Sequence, residues 1–247
     1  VRRAAVLALV LALTACGSGS DGSSTKRTLT VVAASSLTEA FTALEKTYEK
    51  AHPDVDVKLS FDSSAILVEQ LSQGLDADVL ATADAATMDK AEGAGVVAGT
   101  SKVFATNTLV IATPKGNPAG IRGVDDLADA TFAVCVPAAP CGDAAQRLFM
   151  LDGLTEKPTT EEENVKGVLT KVVTGEVDAG LVYASDARSA GDDVDVVQVT
   201  NASEVVNIDA IAAVKGGDRT AARDWIDLVT GAEGQKVLAS FGFGPRA

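Results

Sequence analysis

Histidine is almost absent: His52 is the only one in 247 residues. Metal sites built from several imidazoles are therefore excluded, and any Ser-His-Asp arrangement would have to use that single ring. Aromatic residues make up only 4%, and basic residues are outnumbered 21 to 34, for a net charge of −13. Nucleic-acid binders need clustered cations to displace counterions, so a nucleic-acid partner is excluded. There is no G-x-x-x-x-G-K-[ST] phosphate loop and no G-x-S-x-G nucleophile turn, and the stretch Gly93 to Gly99 has one residue too many for a dinucleotide fingerprint. What is present is ordinary globular composition, 47% hydrophobic and 22% charged, in a chain long enough for one large domain or two small ones.

The N-terminus reads as a targeting segment. Arg2 and Arg3 precede an apolar run from Ala4 to Ala15 broken only by Thr14, shorter than the about 20 residues a membrane-spanning helix needs. Residues 1–15 are expected to be a signal peptide. Leu13-Thr14-Ala15-Cys16 resembles the lipobox of bacterial lipoproteins, in which cleavage precedes the cysteine and the cysteine carries the lipid. An ordinary signal peptide followed by a chance cysteine is the alternative. Residues 17–28 are Gly/Ser-rich and polar, so Cys16 with the segment 16–28 is expected to act as lipid anchor and flexible tether. The body would then sit outside the cytoplasm and touch the membrane only through that anchor.

Two further cysteines, Cys135 and Cys141, flank Val136-Pro137-Ala138-Ala139-Pro140. In an oxidising compartment a pair this close across a Pro-rich turn is expected to be bonded. The alternative is two buried thiols; zinc is disfavoured, since no further cysteine or nearby histidine completes a tetrahedron.

Along the body, short apolar strands alternate with amphipathic helices. Leu29 to Ala34 reads as a buried strand, and Ser36 with Glu39 forms the S-x-x-E pattern of a helix start. Leu37, Ala40, Phe41, Leu44 and Tyr48 follow helical spacing up to the His52-Pro53-Asp54 turn. Val55 to Phe61 alternates as a strand, a helix carries Leu67, Val68 and Leu71, and Val79 to Ala81 precedes a helix over Ala85 to Glu92. This β-α-β-α-β-α order makes a parallel sheet flanked by helices. A long strand-like stretch, Val103 to Thr113, leads to a second series: strand Thr131–Val136, helix Cys141–Leu151, helix Asn164–Val173, and strands Ala179–Ala184 and Val194–Val199. Val205 to Val214 is a further long strand, followed by a helix over Thr220 to Val229 and a Gly-rich end. The two long stretches divide the chain into two α/β lobes: residues 29–107 with 208–247, and 108–207. Gly74 to Asp84 echoes Gly175 to Asp186, as equivalent βα units would.

Acidic pairs such as Asp54/Asp56 and Asp76/Asp78 fall in turns, where Asp is favoured by local hydrogen bonding, and do not read as a cation site. More informative are four helix starts: Ala33-Ala34-Ser35-Ser36, Asp62-Ser63-Ser64, Pro140-Cys141-Gly142 and Asn164-Val165. Free N–H groups and the positive dipole end make each a potential anion site, although Ser36, Ser64 or Asn164 taken alone reads first as a simple cap.

Ala33-Ala34-Ser35-Ser36-Leu37-Thr38, Phe61-Asp62-Ser63-Ser64, Asp76 to Asp84 and Gly180-Leu-Val-Tyr183-Ala-Ser-Asp186, in this order and spacing, resemble the periplasmic molybdate-binding family of ABC importers. The resemblance runs from about Leu29 to the C-terminus. It implies the two-lobed type II periplasmic binding protein fold, each lobe a mainly parallel sheet flanked by helices and joined to the other by two crossing strands. It implies a ligand, molybdate or tungstate, held by Ser36, Ser64, Cys141, Val165 and Tyr183. Ser36 and Ser64 would offer hydroxyl and N–H, Cys141 and Val165 their N–H, and Tyr183 its hydroxyl. The chain departs from the family at Cys141, where many relatives carry a small residue and lack the cysteine pair. No cofactor and no metal cation are implied, and the partners would be a membrane permease and its ATPase, with the protein itself monomeric.

The chemistry fits that implication. Molybdate and tungstate are dianions with acceptor oxygens only, which neutral donors satisfy; hydrogenphosphate keeps a proton and wants an acceptor carboxylate, absent from this residue set. Sulfate differs from molybdate in size alone. Glu39, one turn into the first helix, is expected to point away from the anion. A binding protein for sulfate or phosphate is the nearest alternative, and an extracytoplasmic serine hydrolase using Ser36 or Ser64 a more distant one, for which His52 is a poor base.

Overall fold

The computed structural model describes residues 26–246. The signal peptide and the lipidated Cys16 therefore lie outside the described residues. Ten strands and eight helices follow in the order β1 (Arg27–Ala34), α1 (Thr38–Ala51), β2 (Val55–Asp62), α2 (Ser64–Ser72), β3 (Val79–Thr82), α3 (Ala85–Gly93), β4 (Val97–Asn107), β5 (Leu109–Pro114), β6 (Phe132–Cys135), α4 (Pro140–Asp152), β7 (Thr160–Glu162), α5 (Val165–Val173), β8 (Ala179–Tyr183), α6 (Ala184–Ala190), β9 (Val194–Val197), β10 (Asn207–Val214), α7 (Arg219–Thr230) and α8 (Ala232–Ser240).

They build two five-stranded sheets, β2-β1-β3-β10-β4 and β7-β6-β8-β5-β9. In each, three parallel strands are followed by an antiparallel one: β10 runs against β3 and β4, and β5 runs against β8 and β9. The antiparallel strand is in both cases the first that the chain makes on arriving from the other lobe. The expected strand Val103 to Thr113 is thus two strands, β4 in one sheet and β5 in the other, with Thr108 between them. The return passage ends at β10, where Asn207 pairs with Asn107.

The expected helix face of α1 is the one buried: Leu37, Phe41 and Leu44 are wholly enclosed, with Ala40 and Tyr48 beside them. Trp225 of α7 completes an aromatic cluster, its ring 5.7 Å from Phe41 and 5.5 Å from Tyr48, and edge contacts of this kind add to the area each ring buries. A second cluster, with Val32, Leu67, Leu80 and Met88, fills the opposite face of the first sheet under α2 and α3. On α5, Val165, Val168 and Val172 are buried but Val173 is 44% exposed, so the apolar stripe is narrower than its sequence.

Other differences from the sequence reading have local causes. The tether does not reach residue 28, because Arg27 and Thr28 already pair with Val55 and Asp56 and the Arg27 N–H donates to the Asp54 carbonyl at 2.8 Å. The Gly-rich end is helix α8, which packs on α1 and α7. The echo of the two βα units is physical. Asp78 exchanges bonds with Thr30, accepting its N–H at 2.7 Å and donating to its carbonyl at 2.8 Å. Asp178 does the same with Thr131 in the second lobe, at 2.9 Å each way.

Candidate functional site

The carboxyl ends of the parallel strands of both sheets point into one small cavity between the lobes. Ala34, Ser35, Ser36, Asp62, Ser63, Ser64 and Ala83 line it from the first lobe; Pro140, Cys141, Asn164, Val165 and Tyr183 line it from the second. All five residues singled out for the ligand therefore meet there. The cavity is tight, about 10 Å³, far below the roughly 300–1,000 Å³ of clefts that take drug-sized molecules. It suits an ion of a few atoms. A larger groove of about 580 Å³ beside α4, around Gln146 and Phe149, is lined by the second lobe alone.

Each contributor is placed by the turn that follows a strand. After β1 the chain makes a short 3-10 turn, Ser35–Leu37, before α1, so Ser36 sits inside a turn and is not the cap of the helix. The expected capping box with Glu39 does not form, and the Ser36 hydroxyl is buried without a hydrogen-bond partner. After β2, Ser63 is the N-cap of α2 but gives it no side-chain bond, leaving the first N–H groups of the helix unpaired. The Ser64 hydroxyl accepts the Ala83 N–H at 3.0 Å, so its own hydrogen is available to another acceptor. Tyr183 ends β8, and its hydroxyl accepts from Asn207 Nδ2 at 3.0 Å, again leaving the hydrogen free.

In the second lobe, α4 opens with Pro140 at its first turn and no side-chain cap, which leaves the Cys141 N–H without an intrahelical partner. The disulfide Cys135–Cys141 ties this turn to the end of β6. Gly142 lets the two approach: a Cβ there would stand 1.9 Å from the Val136 carbonyl oxygen. Asn164 is the N-cap of α5, as its sequence suggests, accepting from the N–H of Lys166 and Gly167 at 3.1 and 3.2 Å. That uses the side-chain oxygen on later N–H groups and spares the N–H of Val165.

The outcome is a cluster of neutral donors: two hydroxyls whose acceptor sides are engaged, a third with no partner, and four helix or turn starts. Burial pushes the Tyr183 hydroxyl well above its ordinary pKa, with the carboxylates of Asp209, Asp84 and Asp186 adding to the effect, so it keeps its proton and remains a donor. One expectation needs correction. A carboxylate does reach the cavity wall, at Asp62. Its Oδ1 is engaged by the Ser63 N–H at 2.7 Å and by Asn164 Nδ2 at 3.2 Å.

Glu39 does not line the cavity. It turns sideways to Lys166 of the second lobe, whose Nζ lies 2.9 and 2.8 Å from its two oxygens. The same ammonium stands 3.0 Å from Asp186, whose side chain is fully buried. Neither Lys166 nor this role of Asp186 stands out in the sequence, since a lysine in the first turn of a helix reads as solvated. Burial pulls the Lys166 ammonium down, but Asp186 and Glu39 outweigh that and leave its pKa raised. Burial lifts Asp186 to about 6 against the pull of Lys166. His52 closes α1 with its ring stacked on Tyr48, centroids 4.3 Å apart, and takes no part in the cavity wall. Among the described residues no group of three His, Cys, Asp or Glu side chains is placed to hold a metal ion.

Residues 29–244 match the model of a family described as bacterial extracellular solute-binding protein. The molybdate-binding protein ModA of Mycobacterium tuberculosis (strain ATCC 25618 / H37Rv) is 43% identical over 244 residues, covering 95% of this chain and 94% of its own. Among solved structures, the periplasmic molybdate-binding protein of Azotobacter vinelandii superposes with a TM-score of 0.77 at 19% identity, over 89% of this chain and all of that one. The sulfate-binding protein SubI of Mycobacterium tuberculosis H37Rv gives 0.76 at 18% identity, over 89% of this chain and 87% of that one. At these identities the two structures speak for the fold, which is the two-lobed type II periplasmic binding protein arrangement.

Proposed function

The chain belongs to the bacterial extracellular solute-binding proteins, the family it shares with ModA, and from that premise we propose that it captures molybdate between its lobes for an ABC importer. The observation that carries the ligand class is the set of neutral donors that Ser36, Ser64, Cys141, Val165 and Tyr183 bring to one cavity, with Asp62 the single carboxylate on its wall. A fully ionised oxyanion offers acceptors to every one of these groups. Leaving a buried donor unpaired, or setting a ligand proton against one, costs about 1–3 kcal/mol. Hydrogenphosphate carries such a proton, and with Asp62 Oδ1 engaged by two donors the only acceptor on the wall that could take it is Asp62 Oδ2. Tungstate has molybdate's charge and shape and belongs to the same proposal. Sulfate would be separated by size.

The net charge of −13 does not oppose this reading, since salt screens that field over about 8–10 Å while the donors act at contact distance. The protein binds and releases its cargo without altering it, so no catalytic residue is assigned. The closed form would dock on a membrane permease driven by an ATPase. Leu13-Thr14-Ala15-Cys16 supports a lipid anchor at Cys16 on the outer face of the membrane; the body is proposed to be a monomer.

The test is thermal unfolding with molybdate, tungstate, sulfate and phosphate at equal concentration. Ligand at a thousand times its Kd adds about 4 kcal/mol, roughly 8–16 °C for a body of this size. A shift with molybdate and tungstate alone is expected. A larger shift with sulfate or phosphate would reassign the ligand.

A further inference from the structure

Three consecutive residues at the start of α5 do three different things at the lobe boundary. Val165 lines the cavity. Asn164, before it, reaches across to Asp62 on the first lobe, Nδ2 to Oδ1 at 3.2 Å. Lys166, after it, reaches across to both oxygens of Glu39 at 2.9 and 2.8 Å. The two first-lobe partners flank the cavity in the same way: Asp62 directly precedes Ser63 and Ser64, and Glu39 follows the turn that holds Ser35 and Ser36. The turn that offers an N–H to the ligand is thus fastened to the opposite lobe on both sides.

The two fastenings differ in strength. Asn164–Asp62 is one long hydrogen bond. Lys166–Glu39 joins two full charges through both carboxylate oxygens, at 2.9 and 2.8 Å against 3.2 Å, with the lysine side chain only 25% exposed, and short bonds between charged groups are the strong ones. Asp186 lies on the same lobe as Lys166 and is fully buried. When the lobes part, Lys166 would lose Glu39 but keep Asp186, so its ammonium stays aimed at the cleft and little side-chain freedom is lost on closing.

We propose that Lys166 is a latch between the lobes that lengthens the residence of the bound anion, with Asp186 holding it ready and Glu39 as its catch. This rests on the lobes closing over an anion as described above, and it adds a positioning residue that does not touch the ligand. Because the latch engages after the anion has entered, it acts on release and leaves capture alone.

The experiment is stopped-flow release of molybdate from the wild-type chain and from Glu39→Gln, which keeps the buried Lys166–Asp186 pair intact. Release is expected to speed up about tenfold, as one lost contact worth about 1.4 kcal/mol would give, with association within twofold of wild type. Unfolding of the anion-free protein should be unchanged, because the catch is not needed by either lobe. Equal release rates would overturn the proposal; so would a loss confined to association. A wild-type chain that binds no molybdate would instead remove the ligand assignment. The latch is then read, with whichever of tungstate, sulfate or phosphate raises the unfolding temperature, from energy transfer between dyes on exposed Gln73 and Asp192, one per lobe: a closed fraction that falls in Glu39→Gln supports it and an unchanged one refutes it.

Discussion

Asn107 and Asn207 face each other across the antiparallel pair β4–β10, at the two places where the chain passes between lobes. Both are buried, and both reach into the second lobe. Asn107 Nδ2 donates to Ser185 Oγ at 2.8 Å, and Asn207 Nδ2 donates to the Tyr183 hydroxyl and to the Ala83 carbonyl, 3.0 Å each. Ala83 belongs to the first lobe and Tyr183 to the second, so Asn207 ties the crossing to both walls of the cavity.

Asn207→Leu should weaken anion binding about tenfold, because the Tyr183 hydroxyl loses the donor that fixes its orientation. Asn207→Asp should do worse. A carboxylate there accepts the Tyr183 hydrogen and turns it away from the cavity. Calorimetric titration of both variants checks this; an Asp variant that binds better than the Leu variant contradicts the orientation argument.

Tyr183→Phe should cost on the order of 1 kcal/mol or more in binding, and the loss should be the same at pH 7 and pH 9, because burial keeps this hydroxyl protonated well above pH 10. Affinity that falls between those pH values in the wild type, but not in the variant, would mean the hydroxyl ionises after all.

Asp186 gives a pH signature. Burial raises its pKa from 3.8 to about 6, with the Lys166 charge pulling the other way and Glu39 adding to the rise. Between those values the folded chain keeps a proton that the unfolded chain has released. Its contribution to stability is therefore complete below pH 4 and is lost as pH rises through 6. Asp186→Asn removes this slope, so the variant's unfolding free energy relative to wild type should rise by about 3 kcal/mol from pH 4 to pH 7. A difference that stays constant in urea titrations across that range would place the group at an ordinary pKa.

Opening the disulfide should lower stability by about 2 kcal/mol, the loop-closure entropy of so short a ring, and should also reduce anion affinity, since Cys141 carries a cavity N–H on the bonded turn. Urea unfolding and titration with and without reductant measure the two effects. Loss of stability with full affinity would show that Gly142 and Pro140 alone hold the turn in place.

Much of this was legible in the sequence because the signals were local. The stripe from Leu37 to Tyr48 is fixed by 3.6-residue periodicity, and Asn164 caps α5 as a residue of its type should. The five cavity residues were implied by the family resemblance, whose motifs sit at strand ends. What escaped depends on partners far away in the chain. Thr160–Glu162 is an edge strand only because β6 is beside it, and its acidic side chains read as a helix approach. The Val97–Lys102 segment joins β4 by pairing with β10 over a hundred residues later. Lys166 and Glu39 are separated by 127 residues, and neither has a local reason to be anything but solvated. Ser36 misled at the level of detail, since an S-x-x-E pattern does not announce that a 3-10 turn will take the cap position.

The matching strand orders of the two sheets have a consequence for the ligand. The turn after β1 supplies Ser36 and the turn after β6 supplies Cys141; β2 leads to Ser64 as β7 leads to Val165; β3 leads to Ala83 as β8 leads to Tyr183. The cavity is therefore enclosed by two half-shells built on the same strand order. A tetrahedral ion possesses twofold axes of its own, passing between pairs of oxygens. Seated with such an axis running from one lobe to the other, it would offer two oxygens to each half-shell, so that neither lobe needs to evolve a recognition surface different in kind from the other.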